Sequence, residues 1–156
     1  MKDFMTTIHE TSSAAAAELQ ELLTRYVDSR DGYRQAAQLV KDGGLAAALT
    51  AIADRREEIS ERVATIIYRE GKKPEMKGSP EAKVHRWWIR LRDELADHET
   101  NAILAECLRG EKDLHRTMVS ALEEGHLEPE HRLILQEVLS EIDLAIRSFK
   151  TALGET

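Results

Sequence analysis

A chain of 156 residues is long enough to bury one continuous core without disulfides or a structural metal, and its 29 acidic against 22 basic side chains argue against a general phosphate-tracking surface. Charged residues make up 33% of the chain and aromatics 4%, the balance of a solvated helical protein and not of a β-sandwich or barrel. The single cysteine, Cys107, excludes an internal disulfide framework and is compatible with a reducing compartment.

Met1 to Glu10 lacks the basic start, apolar run and small-residue cleavage site of a signal peptide. No apolar run approaches the roughly 18 residues that a membrane span needs. The expectation is one cytoplasmic domain over residues 1–156, with neither nucleic acid nor membrane as a partner. Residues 1–11 are expected to form a short leader turn or helix.

Ser12 or Ser13 can cap a first helix whose apolar positions are Leu19, Leu22, Leu23, Tyr26, Tyr33, Ala37 and Val40, with Gly43-Gly44 as its stop. Gly32 inside it costs about 1 kcal/mol relative to alanine, which points to close packing or a slight irregularity. Arg30 lies near the stripe, on the turn between Tyr26 and Tyr33. A second helix follows over Leu45 to about Glu70, with Leu45, Leu49, Ile52, Ile59, Val63 and Ile67 at three- and four-residue spacing, ended by Gly71 and Pro74. Arg56 falls inside that stripe, where the period calls for an apolar side chain. The short link between these helices forces an antiparallel hairpin.

Lys72 to Ser79 reads as a polar connection, and Ser79-Pro80-Glu81 as the start of a short helix with Val84, Trp88, Leu91 and Leu95 on one face. A connection this long lets the next main helix run parallel to the second. That helix spans about Glu99 to Glu124, with Leu104, Cys107, Leu108, Leu114, Met118, Ala121 and Leu122 as its stripe and Glu111 within it. The last begins near Pro129, and Leu135, Val138, Leu139, Ile142, Ile146, Phe149 and Leu153 read as an uninterrupted apolar seam. No segment carries a strand signal. The fold class is therefore all-α: an antiparallel four-helix bundle with a short helix in the crossover.

Charged residues on inward stripes are where such a bundle would hold chemistry. Arg56 and Glu111 are expected to form a buried ion pair joined by Arg30, Asp31 or Tyr33, giving a core polar cluster of Arg30, Tyr33, Arg56 and Glu111. The alternative is a carboxylate site for iron or manganese, drawn from Asp31, Asp54, Glu57, Glu106, Glu111 and His115. The second helix has no His three residues after a Glu, and two cations near the centre would repel a divalent metal. No cofactor is therefore expected. Glu111 and His115 are spaced to share a helix face, a pattern more typical of a solvated pair than of a metal site. Cys107 has no ligand partner at metal spacing and lies on an apolar face, as an inert buried thiol does. Neither a phosphate-cradling glycine loop nor a Gly-x-Ser-x-Gly elbow is present. Of the adjacent pair, Trp88 fits the inward stripe, and Trp87 on its flank marks a dimer contact unless the crossover folds over both rings.

These residues carry a family pattern. Asp28 through Gly32-Tyr33-Arg34, Arg56-x-x-Ile59, Gly71 with Pro74, His85-Arg86-x-Trp88, and above all Ile103-Leu-Ala-Glu106-Cys107-x-Arg109-Gly110-Glu111 resemble a bacterial family of ferritin-like four-helix-bundle domains of unknown function. The resemblance covers most of the chain from Leu22 to Phe149. It implies the ferritin-like, rubrerythrin-related fold more than an activity. Members often carry an acidic residue where this chain has Arg30 and a histidine where it has Ile146, so two potential ligands are missing and ferroxidase or peroxidase chemistry is not implied. The resemblance points to a non-catalytic bundle that self-associates, as a dimer, or contacts other proteins, in a setting such as stress physiology. An iron- or manganese-binding redox protein is the second reading, and an acidic adaptor for a basic partner the third.

Overall fold

The computed structural model describes residues 2–79, 90, 93, 100–123 and 128–155, with side chains from residue 14 onward. Within them lie four α-helices and no strand: α1 (Lys2–Leu39), α2 (Gly43–Arg69), α3 (Thr100–Glu123) and α4 (Pro129–Ala152). The fold is an all-α four-helix bundle.

Two expected boundaries move. Ser12 and Ser13 do not cap α1, because the helix runs unbroken through them from Lys2. No glycine or proline precedes Gly32, and the alanines at 14–17 directly after the serines favour helix, so nothing stops the backbone there. Gly43 and Gly44 open α2 instead of stopping α1. Asp42 is the reason: its Oδ1 accepts from the Leu45 N–H at 2.9 Å, capping the new helix. At its far end α2 closes at Gly71, whose φ of 81° lets the Gly71 and Lys72 N–H groups reach the carbonyls of Tyr68 and Ile67 at 3.0 and 3.3 Å.

Antiparallel hairpins pair α1 with α2 and α3 with α4, and helices within a hairpin lie closer together than the two hairpins do. Near the α1–α2 turn, Tyr33, Ala36, Leu49 and Ala53 pack with Ile103, Leu104 and Cys107 from the start of α3 and with Ala145 and Phe149 from the end of α4. Toward the other end, Leu19, Leu23, Val63 and Ile67 meet Leu114, Met118 and Ala121 of α3 and Ile134, Leu135 and Val138 of α4. So α2 and α3 run in the same direction, and the chain must travel the length of the bundle between them.

Residues 72–79 begin that journey along α1. The Gln20 side-chain amide pairs with the Glu75 main chain, donating to its carbonyl at 3.0 Å and accepting from its N–H at 2.9 Å. Eight residues further along α1, Asp28 accepts from the Ser79 N–H at 2.8 Å and from the Ser79 hydroxyl. A Cβ on Gly78 would overlap Asp28 Oδ1, so a larger residue there would push the Asp28 carboxylate from this position. Arg90 and Asp93 are helical. The rest of the expected crossover helix, including Trp87 and Trp88, lies outside the described residues. Among the described residues no helix is long and apolar enough to cross a membrane.

The two ends of α2 predict opposite responses to alanine. Gly71→Ala forces a side chain into the left-handed region and should lower stability by about 1 to 2 kcal/mol in urea unfolding. Gly43→Ala, helical and with nothing within 4 Å of its added Cβ, should be neutral or stabilise by up to about 1 kcal/mol. The reverse order would contradict the boundaries given above.

Candidate functional site

Helical periodicity brings about two turns of each helix to the same level: Tyr26 to Tyr33 on α1, Ala53 to Ile59 on α2, Leu108 to Leu114 on α3 and Val138 to Ala145 on α4. At that level the apolar core is interrupted. Arg56 is 0% exposed and Glu111 2%. The guanidinium donates from Nη2 to Glu111 Oε2, from Nε to Glu141 Oε1 and from Nη1 to Ser29 Oγ, each at 2.9 Å. The remaining carboxylate oxygens are taken by phenols. Tyr33 donates to Glu111 Oε1 at 2.5 Å, and Tyr26 donates to Glu141 Oε2 at 3.0 Å. The two rings also flank the cation, with Cζ of Arg56 at 4.9 Å from the Tyr26 centroid and 5.8 Å from that of Tyr33.

The electrostatics reinforce this closure. Burial alone would pull the Arg56 pKa down, but Glu111 and the two phenols outweigh it and hold it above the usual arginine value. Tyr26 and Tyr33 are raised well above the ordinary phenol range, first by burial and then by the neighbouring Glu141 and Glu111, against the opposing pull of Arg56. Both therefore remain hydroxyl donors at neutral pH. The thiol of Cys107 is pushed up to about 12 by burial, with Glu111 and Glu106 adding to it, which disqualifies it as a nucleophile.

Four helices contribute to this layer, and the sequence pattern identified only part of it. Arg56, Glu111 and Tyr33 are in contact, but Arg30 is not with them. Its guanidinium turns to the α1–α2 flank and pairs with Asp31 Oδ1 at 2.9 Å and Glu57 Oε2 at 2.8 Å, where its head stays near water instead of entering a core that already holds one cation. Glu141 was missed, because the α4 seam reads as uninterrupted when only its apolar residues are counted. The spacing Ile134, Val138, Glu141, Ala145 continues the inward stripe, and this was the available signal. The seam is broken again at His131, which is buried. Ser29 is a helix neighbour of the stripe and Tyr26 lies on it, and neither hydroxyl gave a sequence signal of pairing.

The expected ligand pool disperses. Asp54 is exposed, Glu57 pairs with Arg30 and Arg34, Glu106 with Arg109, and His115 Nε2 lies 3.1 Å from Asp143 Oδ1. Among the described residues, none of Asp31, Asp54, Glu57, Glu106, Glu111 and His115 joins a trio of ligating side chains close enough to share an ion. A cavity of about 270 Å³ opens between α1 and α3 over Ser29, Tyr33 and Glu111, with Arg25, Arg90 and Arg109 around it. What it reaches is the edge of the closed network, where each Glu111 oxygen already accepts a bond.

A family model described as a domain of unknown function, DUF2383, matches residues 14–124. No curated protein and no solved structure matches the chain.

Removing one member of the network leaves a buried charge uncompensated, so Arg56→Ala, Glu111→Ala and Glu141→Ala should each lower stability by about 3 to 5 kcal/mol. Exposed Glu123→Ala should fall within about 0.5 kcal/mol of the parent in the same denaturation series. Equal losses at Glu111 and Glu123 would remove Glu111 from the core. The raised phenols and thiol also set an alkaline limit. The unfolded chain loses these protons from their ordinary values of 9.0 and 10.0 upward, while the folded chain keeps them. Their stabilisation is therefore complete below about pH 9 and declines as pH rises toward the folded values. Urea midpoints measured from pH 8 to 11 should fall, and the fall should be shallower in Tyr26→Phe/Tyr33→Phe.

Proposed function

The chain belongs to the DUF2383 family, a domain of unknown function, and from that premise we propose that it is a non-catalytic bundle acting through self-association or contacts with other proteins. The observation that carries this reading is the guanidinium of Arg56 between Glu111 and Glu141. The parallel course of α2 and α3 through one long connection is the connectivity of ferritin-like bundles, which supports the ferritin-like kinship proposed for this chain. In the metal-bearing members of that class, carboxylates and histidines from all four helices converge on cations at the bundle centre. Here the corresponding level holds one fixed organic cation, and every oxygen of the two carboxylates already accepts a hydrogen bond. The donor set does not fit a dinuclear iron or manganese centre, because a metal would have to displace a fully buried arginine held by three hydrogen bonds.

Contacts with a partner are supported by large apolar side chains left exposed on α2 and α4. Tyr68, Leu133 and Leu144 are 74%, 68% and 55% exposed. Leu133 and Leu144 stand three turns apart on α4, on one side of that helix. A second copy of the chain is the favoured partner, in a cytoplasmic setting that suits a lone cysteine and, given its ferritin-like kinship, a role in stress physiology.

Protein purified without chelator should carry no stoichiometric iron or manganese and should not accelerate ferrous oxidation. Either metal, retained by the parent and lost on Glu111→Gln, would overturn the reading. Light scattering coupled to size exclusion should give twice the chain mass, and Leu133→Glu/Leu144→Glu should return it to the monomer. A parent that is monomeric at high concentration would rule out the dimer.

A further inference from the structure

We propose that the end of the bundle where α2 finishes and α4 begins binds a divalent transition-metal ion through Glu70, Glu128 and His131. One candidate ligand atom from each of these side chains lies within 4.8 Å of the others. The three come from two hairpins. Glu70 is the C-cap residue of α2, Glu128 the N-cap of α4, and His131 stands in the first turn of α4.

Chemistry and burial both favour a cation here. His131 is 1% exposed, and its Nε2 lies 2.9 Å from Glu70 Oε1. The other ring nitrogen, Nδ1, is buried with no hydrogen-bond partner among the described residues, so the ring's polar interaction is directed at the carboxylates through Nε2. Glu128 occupies a position where a side chain ordinarily caps the helix, yet its carboxylate makes no capping bond. Glu70 sits at the α2 C-terminus, where the last carbonyls already concentrate negative potential that a cation would offset.

An imidazole and two carboxylates match the borderline donor preference of zinc, with one coordination position left for water. Zinc takes such nitrogen and oxygen ligands at about 2.0 to 2.2 Å, so the oxygens must close in on a fixed ring. The burial pattern permits this: the imidazole is held by packing, while Glu128 is exposed and the Glu70 side chain is 18% exposed. Coordination through Nε2 would replace its hydrogen bond to Glu70. The ion would tie α2 to α4 and so join the two hairpins. It would act as a clasp, independent of the Arg56 layer and of the reading that rests on it.

The test uses the full chain stripped with chelator and titrated with zinc(II) in a calorimeter, with magnesium(II) in parallel. One equivalent of zinc should bind and raise the thermal midpoint, and magnesium should do neither. Glu128→Gln alters an exposed side chain that caps nothing. It should leave the metal-free midpoint unchanged and weaken zinc binding by more than the roughly 10- to 100-fold loss typical of an outer-sphere partner. His131→Gln should weaken it at least as much, and Glu111→Gln should not change it. Parent protein that takes up no zinc, or Glu128→Gln that binds zinc as tightly as the parent, would overturn the proposal. Zinc lost only on Glu111→Gln would instead count against the reading of the bundle centre.

Discussion

A guanidinium with no exposed surface, held between a carboxylate on α3 and another on α4, sets the level at which the four helices meet. Its partners come from every helix: Ser29, Tyr26 and Tyr33 on α1, Glu111 on α3 and Glu141 on α4, around Arg56 of α2. Apolar packing alone would tolerate several alignments of four amphipathic helices, because hydrophobic contact is not directional. The polar layer does not. Sliding one helix by a turn would press a guanidinium or carboxylate against leucine and isoleucine without a partner, and an unpaired buried charge costs several kcal/mol. Desolvation offsets much of the attraction within the layer, so its main contribution is to penalise wrong alignments more than to stabilise the right one.

The same layer accounts for the spacing of the hairpins. Within each hairpin the helices pack closely, whereas between hairpins the gap is filled by large side chains, among them Tyr26, Arg56, Met118 and Glu111, all nearly or fully buried. The core is thereby divided in two. One part, around Leu23, Ile67, Met118 and Leu135, holds the end where α2 finishes, and the other, around Leu49, Cys107 and Phe149, holds the α1–α2 turn. The Tyr33 and Phe149 rings stack across the second part with centroids 6.4 Å apart. The latch of residues 72–79 on Gln20 and Asp28 then carries the chain back along α1, which is what parallel α2 and α3 require.

A bundle whose centre is closed by its own arginine has its remaining reactive groups at its ends and surface. At the centre, hydroxyls and thiol alike are held protonated by burial, and the carboxylates are spoken for. At the α2–α4 end, by contrast, a buried imidazole faces acidic groups that border solvent.

By itself the sequence determined the four helices of the bundle, their approximate spans, the hairpin imposed by a short α1–α2 link, and the presence of a charge at position 56 that had to be answered. Those are local properties: period, capping residues and glycine positions act over a few residues and can be read along the chain. Tertiary structure decided which charges answer it. Arg30 and Glu141 illustrate the difference, since each stands close to an inward stripe and nothing in its neighbours tells it apart from the other. Arg30 turns outward because Glu57 on α2 offers a partner near water, and Glu141 turns inward because Arg56 and Tyr26 face it across the bundle. Whether a residue at the edge of a stripe is buried depends on what the opposite helix presents, and that is fixed only when the helices have been brought together.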